Sequence, residues 1–351
     1  MKLIRLMIFG LNLIVIVFTI MSYIAPYVNP AKLWFFSFFG LGFPILLIAN
    51  ILFIIYYLFY DIKKIVFSIL ILIVGYQYIN EFIAFNNSED TVSGQGYFSV
   101  MSYNVNQGSY LYKKKIGNNI LSGFIKKQNP DILLLQERNS KRIDKELSNL
   151  DGYKYRNMID KRGAAILSKF QIIDKGEVDF STNTNSCLWA DIVINKDTLR
   201  VYSVHFESNQ ISKSTENLME DIEKDRTIQS KNIFTILSKY KTFVQLRAKQ
   251  VSKVIKHIKS SPYKIIAGGD FNDPPISYTY NQFSNILKDA FKEKGFGLGI
   301  SYAGIIPFLR IDYLFVSENI KVSEFKTLRI KYSDHFPIRV KMVNNLKSNQ
   351  K

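Results

Sequence analysis

Long uncharged apolar segments alternate with short polar loops over the first 85 residues. The segments run from Leu6 to Ala25, from Leu33 to Tyr60, and from Ile65 to Phe85 with Glu81 near the end of the third. A helix needs about 20 apolar residues to cross the hydrocarbon core of a bilayer. The pattern therefore predicts that residues 1–88 form a membrane anchor of three transmembrane helices, at about 6–25, 33–60 and 65–85.

Basic residues flank these segments unevenly. Lys2 and Arg5 precede the first segment, and Lys63 and Lys64 separate the second from the third, whereas the intervening loop contains only Lys32. Because cytoplasmic loops carry the excess of lysine and arginine, we expect the N-terminus in the cytoplasm. Three crossings then place the rest of the chain on the other side. The sequence thus predicts an integral protein of the cytoplasmic (inner) membrane with an extracytoplasmic domain.

After a polar, glycine-containing stretch at 89–96, which predicts a linker, the pattern changes to short apolar runs separated by polar turns. Helical spacing predicts helices over 116–128 and over 216–258, the second broken near Tyr240. Strands are predicted at 97–105, 132–135, 153–158, 164–167, 172–178, 188–194, 199–205, 264–267, 311–316, 320–328 and 336–342. Many strands with inserted helices favour an α/β fold of two packed sheets covered by helices. The domain is predicted to span 97–345, before a polar tail at 346–351.

Composition narrows the classes of partner. The net charge of +17 suits an anionic partner such as nucleic acid, phospholipid head groups or a phosphorylated metabolite. The lysines are scattered, without the long basic run of a nucleic-acid-binding arm. The single cysteine, Cys187, excludes an intramolecular disulfide and a multi-cysteine zinc site, and we interpret it as a small buried side chain in a strand.

Polar side chains recur at the ends of the predicted strands, where packing alone does not account for them. In chain order they are Asn104, Glu137, His205, Asp270, Asn272, Asp312, Asp334 and His335. A carboxylate that directly follows a buried strand costs free energy unless it is solvated or binds a cation. Carboxylate and amide oxygens are ligands of hard cations, and an Asp beside a His favours the protonated imidazole. The series predicts one polar site at one edge of a sheet.

Several of these positions also have a purely structural interpretation, which the sequence leaves open. Asn104 would cap a turn, and Glu137 would pair with the adjacent Arg138 or a nearby lysine. Asp270 and Asn272 would form a turn held by their own side chains.

Three further features have an interpretation that involves no chemistry. His257 lies among lysines of the second predicted helix, which is typical of a surface residue. Residues 207–240 are either a lid beside the site or a packing element near the membrane. The apolar stretch 295–300, which leads to 307–309, is a membrane-facing or substrate loop or, the interpretation that we favour, an ordinary surface loop.

Taken in order, the motifs of this chain resemble those of the endonuclease/exonuclease/phosphatase superfamily. The matching motifs are Gln-Glu at 136–137, Gly-Ala-Ala-Ile-Leu-Ser at 163–168, Arg-Ala-Lys-Gln at 247–250, Gly-Asp-Phe-Asn at 269–272, Arg-Ile-Asp-Tyr at 310–313 and Ser-Asp-His at 333–335. The resemblance covers about residues 97–342. It implies a four-layer α/β/β/α sandwich of the DNase I type and a bound Mg²⁺ or Mn²⁺.

The resemblance also implies the ligands of that cation and the contacts to substrate. Glu137 corresponds to the main metal ligand, with Asn104 near it and Asp334 as a further candidate. Arg247 is expected at the edge of the site as a substrate-binding residue, or in a salt bridge to a helix carboxylate.

The remaining site residues take catalytic roles by the same resemblance. Asp270 would orient or deprotonate the attacking water, and Asn272 would orient the phosphate. His205 and His335 would donate to the non-bridging phosphate oxygens, with Asp312 orienting His335.

The expected activity is metal-dependent hydrolysis of a phosphodiester, as in a nuclease, by in-line attack of an activated water. The alternative is a phosphodiesterase or phosphatase of the same fold that acts on phospholipid or sphingomyelin. A less favoured alternative is a non-catalytic binding module at the membrane. The expected partners are the anionic phosphoester, either nucleic acid or phospholipid, and the membrane, with no obligate protein partner.

Overall fold

The structure is a computed structural model that describes residues 2–86, 96–110, 117, 119–158, 163–182, 185–208, 230–304 and 306–344. The predicted linker except Gly96, most of the segment 207–240 and the predicted tail at 346–351 lie outside these ranges. The helices described are α1 (Lys2–Ile24), α2 (Phe35–Tyr60), α3 (Ile65–Val74), α4 (Tyr76–Phe82), α5 (Ile120–Gln128), α6 (Lys141–Ser148), α7 (Ser230–Lys259), α8 (Tyr278–Ser284) and α9 (Ala290–Lys294). The strands are β1 (Ala84–Phe85), β2 (Tyr97–Asn104), β3 (Ile132–Gln136), β4 (Tyr155–Met158), β5 (Ala165–Ser168), β6 (Ile172–Val178), β7 (Ser186–Ile194), β8 (Asp197–His205), β9 (Lys264–Asp270), β10 (Lys288–Asp289), β11 (Phe296–Gly297), β12 (Asp312–Val316), β13 (Ile320–Thr327) and β14 (Ile338–Asn344).

Two of the three predicted spans are single long helices, and the third is bent. α1 and α2 are each long and apolar enough to cross a membrane, whereas the segments 62–74 and 76–82 meet at an angle of 63°. The bend lies at Gly75, where an added Cβ would meet the ring of Tyr23 from α1. The Tyr23 hydroxyl donates to the Ile71 carbonyl at 3.0 Å. The described residues therefore contain two candidate spans, or three if the bent pair forms one.

Side-chain hydrogen bonds join the three apolar segments. Asn12 of α1 donates to Ser68 of α3 at 2.9 Å, and Asn50 of α2 donates to Thr19 of α1 at 2.9 Å. All four residues are buried. Because a polar group left unpaired among apolar helices costs free energy, such contacts stabilise one packing arrangement. The anchor is therefore a packed bundle of helices.

Two mixed sheets, each of six described strands, form the centre of the remaining chain. One has the order β10-β12-β9-β8-β7-β6, and the other has the order β13-β14-β2-β3-β5-β4. The core between them consists of aliphatic side chains such as Val100, Leu134, Ile166, Val201 and Ile266. Runs such as Ile132–Gln136, in which every residue is buried, suit strands that are covered on both faces.

Helices cover the outer face of each sheet. α7 and α8 pack on the first sheet through Val251, Ile255 and Phe283 among others. α5 and α6 pack on the second sheet through side chains that include Ile125 and Leu147. These layers confirm the predicted α/β/β/α sandwich.

The predicted strands agree closely with the observed ones, and Cys187 is buried in β7 as expected. The predicted break near Tyr240 is wrong, because α7 is continuous and Tyr240 packs against Trp34 and Phe38 of the anchor. Tertiary contacts therefore hold the helix where local sequence favours a break. The short helices α6, α8 and α9 were not predicted.

The prediction that His257 is a surface residue is also wrong. Its ring is half-buried, with Nδ1 2.8 Å from the Tyr202 hydroxyl and the ring centroid 5.5 Å from that of Trp189. Burial lowers the pKa of His257, so the neutral ring is favoured.

The anchor packs directly on the sandwich. β1, which follows α4, pairs antiparallel with β11, so that Ala84 lies opposite Gly297. The Asn281 side chain of α8 donates to the Pro26 carbonyl at 3.1 Å, in the turn after α1. The stretch 295–300 is thus partly a strand in the contact between anchor and sandwich, rather than the ordinary surface loop that the sequence favoured.

Candidate active site

The ends of four strands bring four of the predicted site residues to one edge of the sandwich. Asn104 is the last residue of β2, and His205 and Asp270 are the last residues of the parallel neighbours β8 and β9. Asp312 begins β12, which is antiparallel to β9, and its register partner is Asp270. Parallel strands end at the same edge of a sheet, so the alternation of elements itself brings these side chains together.

Unusual backbone conformations aim two of the side chains. Glu137 follows β3 with a φ of 52°, and Asn272 has a φ of 53°. Two glycines allow the close approaches that these turns need. A Cβ on Gly163 would lie 3.0 Å from the Glu137 Cα, and a Cβ on Gly269 would lie 1.9 Å from the Val204 carbonyl oxygen. The Gly-Ala and Gly-Asp motifs are therefore required by sterics at the edge of the site.

Asn104 links two of the carboxylates. Its amide nitrogen donates to Asp270 Oδ2 at 2.9 Å and to Glu137 Oε1 at 3.1 Å. Its amide oxygen accepts from the backbone N–H of Asn106 at 3.0 Å, so Asn104 also has the turn-capping contact that was its alternative interpretation. The Glu137–Arg138 pair, which was the alternative interpretation of Glu137, is not seen among the described residues, where Arg138 pairs with Asp144 at 2.7 Å.

His205 completes a first group of side chains with Glu137 and Asp270. His205 Nε2 lies 3.5 Å from Glu137 Oε1, and one ligand atom from each of the three residues lies within 4.8 Å of the others. The His205 Nδ1 atom is buried and has no hydrogen-bond partner among the described residues.

Asp312 and His335 form a second group around Asp270. His335 Nδ1 lies 2.8 Å from Asp312 Oδ2, and His335 Nε2 lies 3.7 Å from Asp270 Oδ2. Asp312 is itself held by Ser301, whose Oγ accepts the backbone N–H groups of Ile311 at 3.0 Å and Asp312 at 2.9 Å. The imidazole is therefore oriented by a carboxylate that is fixed in turn.

Burial and neighbouring charges shift the pKa of both central groups. Burial raises the pKa of Asp270 to about 6, against the effect of His335, because an ionised carboxylate loses its hydration there. Burial alone would lower the pKa of His335, but Asp312 and Asp270 outweigh it and raise that pKa well above its usual range. A protonated His335 beside Asp270 can donate to an anion and leaves Asp270 as the acceptor of a proton.

The first group, Glu137, His205 and Asp270, offers ligand atoms that suit a hard divalent cation. Glu137 keeps 29% of its side chain exposed, whereas Asp270 and His205 are buried, so its carboxylate faces the open side of the site. Mg²⁺ binds through one or two carboxylates and keeps several waters, a requirement that this arrangement fits. Asp334, the other predicted ligand, is only half-buried, belongs to neither three-residue group and lies 3.1 Å from the Ser333 hydroxyl.

Asn272 lies in the site, but its amide contacts differ from the predicted one. Its side-chain nitrogen donates to the Phe206 carbonyl at 2.9 Å and to Asp270 Oδ2 at 3.3 Å. The backbone N–H of Asn272 also donates to Asp270 Oδ1 at 2.9 Å, so the turn held by these side chains, which was their alternative interpretation, is present. In this structure Asn272 orients Asp270.

Arg247 is not at the open edge where substrate binding was expected. It is 1% exposed, and its guanidinium contacts Asp273 at 3.0 and 3.1 Å and the Glu207 carbonyl at 2.7 Å. Its partner is a carboxylate in the loop after β9, rather than the helix carboxylate of the alternative prediction. Arg247 therefore fixes that loop from behind, since a buried guanidinium requires such partners.

Two residues near the site carried no signal in the sequence. Ser301 and Tyr302 follow the short strand β11 in an irregular loop that contains none of the family motifs. Tyr302 forms an isolated bridge with His335, and the two ring centroids are 5.3 Å apart. Only the tertiary fold brings this loop to the histidine.

Two protein families match separate parts of the chain. Residues 101–335 match the Endonuclease/Exonuclease/phosphatase family, and residues 4–82 match a domain of unknown function. The first match covers more than half of the chain. The chain belongs to the endonuclease/exonuclease/phosphatase family. It is therefore an enzyme of a family that hydrolyses phosphoesters, as the motifs predicted. No curated protein matches the chain.

Solved structures share the fold of this family member. An endonuclease/exonuclease/phosphatase family protein from Bacteroides thetaiotaomicron is 18% identical, with a TM-score of 0.53, covering 71% of this chain and 98% of that one. A mannosyl-6-phosphatase from Bacteroides thetaiotaomicron VPI-5482 is 17% identical, with a TM-score of 0.51, covering 70% and 99%. A humanized TDP2 of D. rerio is 17% identical, with a TM-score of 0.50, covering 70% and 98%. At this identity the likenesses show the DNase I-like fold alone.

Proposed function

We propose that this family member hydrolyses a phosphodiester, with a divalent cation and an activated water, at the edge formed by β2, β8, β9 and β12. The observation that carries the proposal is the position of Asp270. It contacts Asn104 at 2.9 Å on the side of Glu137 and His205, and it lies 3.7 Å from His335 on the side of Asp312. A base between a cation site and a protonated donor is the arrangement that in-line attack at phosphorus requires.

The chain's own groups divide the work. Mg²⁺ or Mn²⁺ held by Glu137, with Asn104 and Asp334 as further candidates, would neutralise charge on the phosphate. Asp270 accepts the proton of the attacking water. His335 donates to a non-bridging phosphate oxygen, and Asp312 fixes the ring for that contact.

Two further residues complete the proposed contacts to phosphate. His205 donates to a second non-bridging oxygen. The longer amide contact of Asn272, 3.3 Å to Asp270, is the one that we propose a phosphate oxygen replaces. The shorter contact to the Phe206 carbonyl then keeps the Asn272 side chain oriented.

A phospholipid phosphoester is the second candidate substrate, and one observation favours it. Phe85 of β1 and Phe296 of β11 are 76% and 73% exposed, and they lie directly beside the end of the apolar anchor. The chain then runs from Phe296 to Tyr302, which contacts His335. An exposed apolar pair beside a membrane anchor suits contact with lipid. The loop would then lead from the bilayer surface to the site.

We also propose that the anchor crosses the cytoplasmic membrane and that the catalytic domain lies outside the cytoplasm. Two contacts place the basic residues together: Arg5 lies 5.9 Å from the ring of Tyr60, and Lys64 lies 4.9 Å from the ring of Phe9. The other end of α1 leads to Pro26, which contacts the sandwich. The basic end and the catalytic domain thus lie at opposite ends of α1, as the positive-inside rule requires for this orientation.

Purified full-length protein in detergent micelles tests the activity. Plasmid DNA, single-stranded RNA, sphingomyelin and phosphoinositides are each incubated with Mg²⁺ or Mn²⁺, and with excess chelator. We expect hydrolysis of one of these classes, loss of it in chelator, and a loss of about 10³-fold in Asp270→Asn. Asp151→Asn, which alters an exposed aspartate more than 100 residues before Asp270 in the sequence, is the matched control. Full activity in chelator or in Asp270→Asn would refute the proposal.

A further inference from the structure

The end of the membrane anchor enters a buried charged cluster of the catalytic domain. Arg310 of the Arg-Ile-Asp-Tyr motif is 1% exposed. Its guanidinium donates to Asp289 Oδ2 at 2.6 Å and to the backbone carbonyl of Glu81 at 2.8 Å. Glu81 belongs to α4, the last helix of the anchor. One of the acceptors of a buried arginine of the catalytic domain is therefore supplied by the anchor.

The Glu81 side chain joins the same cluster. Its Oε2 lies 2.7 Å from the Tyr280 hydroxyl, which is also 3.0 Å from Asp289 Oδ2. The guanidinium of Arg310 lies over the rings of Phe291 and Tyr313, with distances to the centroids of 4.5 and 4.7 Å. A guanidinium has donors in fixed directions and no acceptor, so its position depends on each group that accepts from it.

Arg310 is connected to the active site by the chain itself. It lies two residues before Asp312, which orients His335 through a 2.8 Å contact. The carbonyl of Arg310 lies 2.7 Å from the Tyr313 hydroxyl, in the residue that follows Asp312. A displacement of Arg310 therefore moves the start of β12, and with it the carboxylate that holds the histidine.

We infer that Glu81 is a positioning residue of the active site, its carboxylate acting through Tyr280, Asp289 and Arg310 on Asp312, so that the anchor is a structural part of the catalytic centre. This inference rests on the proposed function only for its effect on turnover. Additional contacts hold α4 in place: Lys292 Nζ donates to the Asn80 carbonyl, and Asn86 donates to the Lys292 carbonyl at 2.5 Å. The anchor is thus docked on both sides of Glu81.

The test compares three variants of the full-length protein in detergent. Glu81→Ala keeps the backbone carbonyl that accepts from Arg310 and removes the carboxylate that contacts Tyr280. Glu81→Gln keeps an acceptor for the Tyr280 hydroxyl, and Glu293→Ala removes an exposed acid on the neighbouring helix α9 as a matched control. We expect Glu81→Ala to lower kcat about 10-fold with little change in KM, because the defect lies in the position of catalytic groups. Glu81→Gln should recover most of that loss, and Glu293→Ala should equal wild type. Wild-type kcat in Glu81→Ala would overturn the inference.

Hydrogen exchange gives a second readout that needs no activity. The backbone N–H groups of Ile311 and Asp312 are bonded to Ser301, so their exchange reports how well the start of β12 is held. We expect faster exchange in the peptide over 309–315 in Glu81→Ala, and wild-type exchange in Glu293→Ala. If the wild type hydrolyses no phosphoester but this difference is present, the proposed function fails while the positioning role stands. Unchanged exchange in Glu81→Ala would overturn the role.

Discussion

His335 and His205 both lie beside Asp270, but their second ring nitrogens have different surroundings. His335 Nδ1 is 2.8 Å from Asp312, which Ser301 fixes in turn. His205 Nδ1 is buried without a partner among the described residues, and its Nε2 is 3.5 Å from a partly exposed glutamate. A buried polar atom without a partner costs free energy in the protein alone. Contacts within the protein thus fix the orientation of His335, whereas His205 has a ring nitrogen that is left to contact a bound group.

Replacing each histidine in turn is the strongest test of this difference between His335 and His205. We expect His335→Ala to lower kcat about 10³-fold, because a preorganised charged donor is lost. His205→Ala should lower it about 10²-fold, because no fixed carboxylate orients its ring as Asp312 orients that of His335. Steady-state rates at saturating metal measure both, with thermal unfolding as the check on folding. A larger loss in His205→Ala than in His335→Ala would reverse the assignment.

The Mg²⁺ dependence of the activity should also distinguish the group around Glu137 and His205 from the group around Asp312 and His335. Glu137→Gln is expected to raise the Mg²⁺ concentration for half-maximal activity about 10- to 100-fold, because a carboxylate ligand becomes a neutral amide. Asp312→Asn should lower kcat and leave the Mg²⁺ dependence as in wild type. Mg²⁺ should also raise the Tm of wild type and not that of Glu137→Gln, since a ligand stabilises the state that binds it. Equal Mg²⁺ dependence in both variants would contradict the division.

The smallest expected effect comes from the support of Asp312. Ser301→Ala leaves two buried backbone N–H groups without their acceptor, at a cost of about 1–3 kcal/mol in the free energy of unfolding. We expect kcat to fall about 10-fold with the metal dependence unchanged. Ser148→Ala, which removes an exposed serine hydroxyl bonded only within its own helix, is the control and should stay near wild type. A changed Mg²⁺ dependence in Ser301→Ala would place Ser301 on the other side of the site.

The site residues at strand ends could be predicted from the sequence because the order and direction of the strands bring those ends together. His205 and Asp270 are the last residues of two parallel neighbouring strands, and Asn104 is the last residue of a strand in the facing sheet. The apolar runs that predict these strands therefore also locate the three residues. The endonuclease/exonuclease/phosphatase fold followed from the same pattern together with the motifs. Glu137 required the motif as well, because its aim depends on a positive φ that apolar periodicity does not indicate.

Contacts between distant parts of the chain account for the features that the sequence did not indicate. Arg247 was expected at the edge of the site from the resemblance, and its contact with Asp273, which lies in a loop without periodicity, left no local pattern. The third span was expected as one segment at about 65–85, and its bend depends on Tyr23 meeting Gly75 from another helix. The contact between the Glu81 carbonyl and Arg310 likewise joins parts of the chain more than 200 residues apart, and no sequence pattern indicated it. No local pattern records which distant side chain fills a given space.

The short pairing of β1 with β11 has a consequence for how substrate is encountered. β1 begins two residues after α4 ends and joins the catalytic domain directly, so the site stands at a fixed height above the end of the anchor. With the anchor in a bilayer, the enzyme would sample only the layer of molecules at that height. Turnover would then depend on how many substrate molecules lie per unit area of membrane, and on how fast they diffuse in its plane, more than on their concentration in bulk solution.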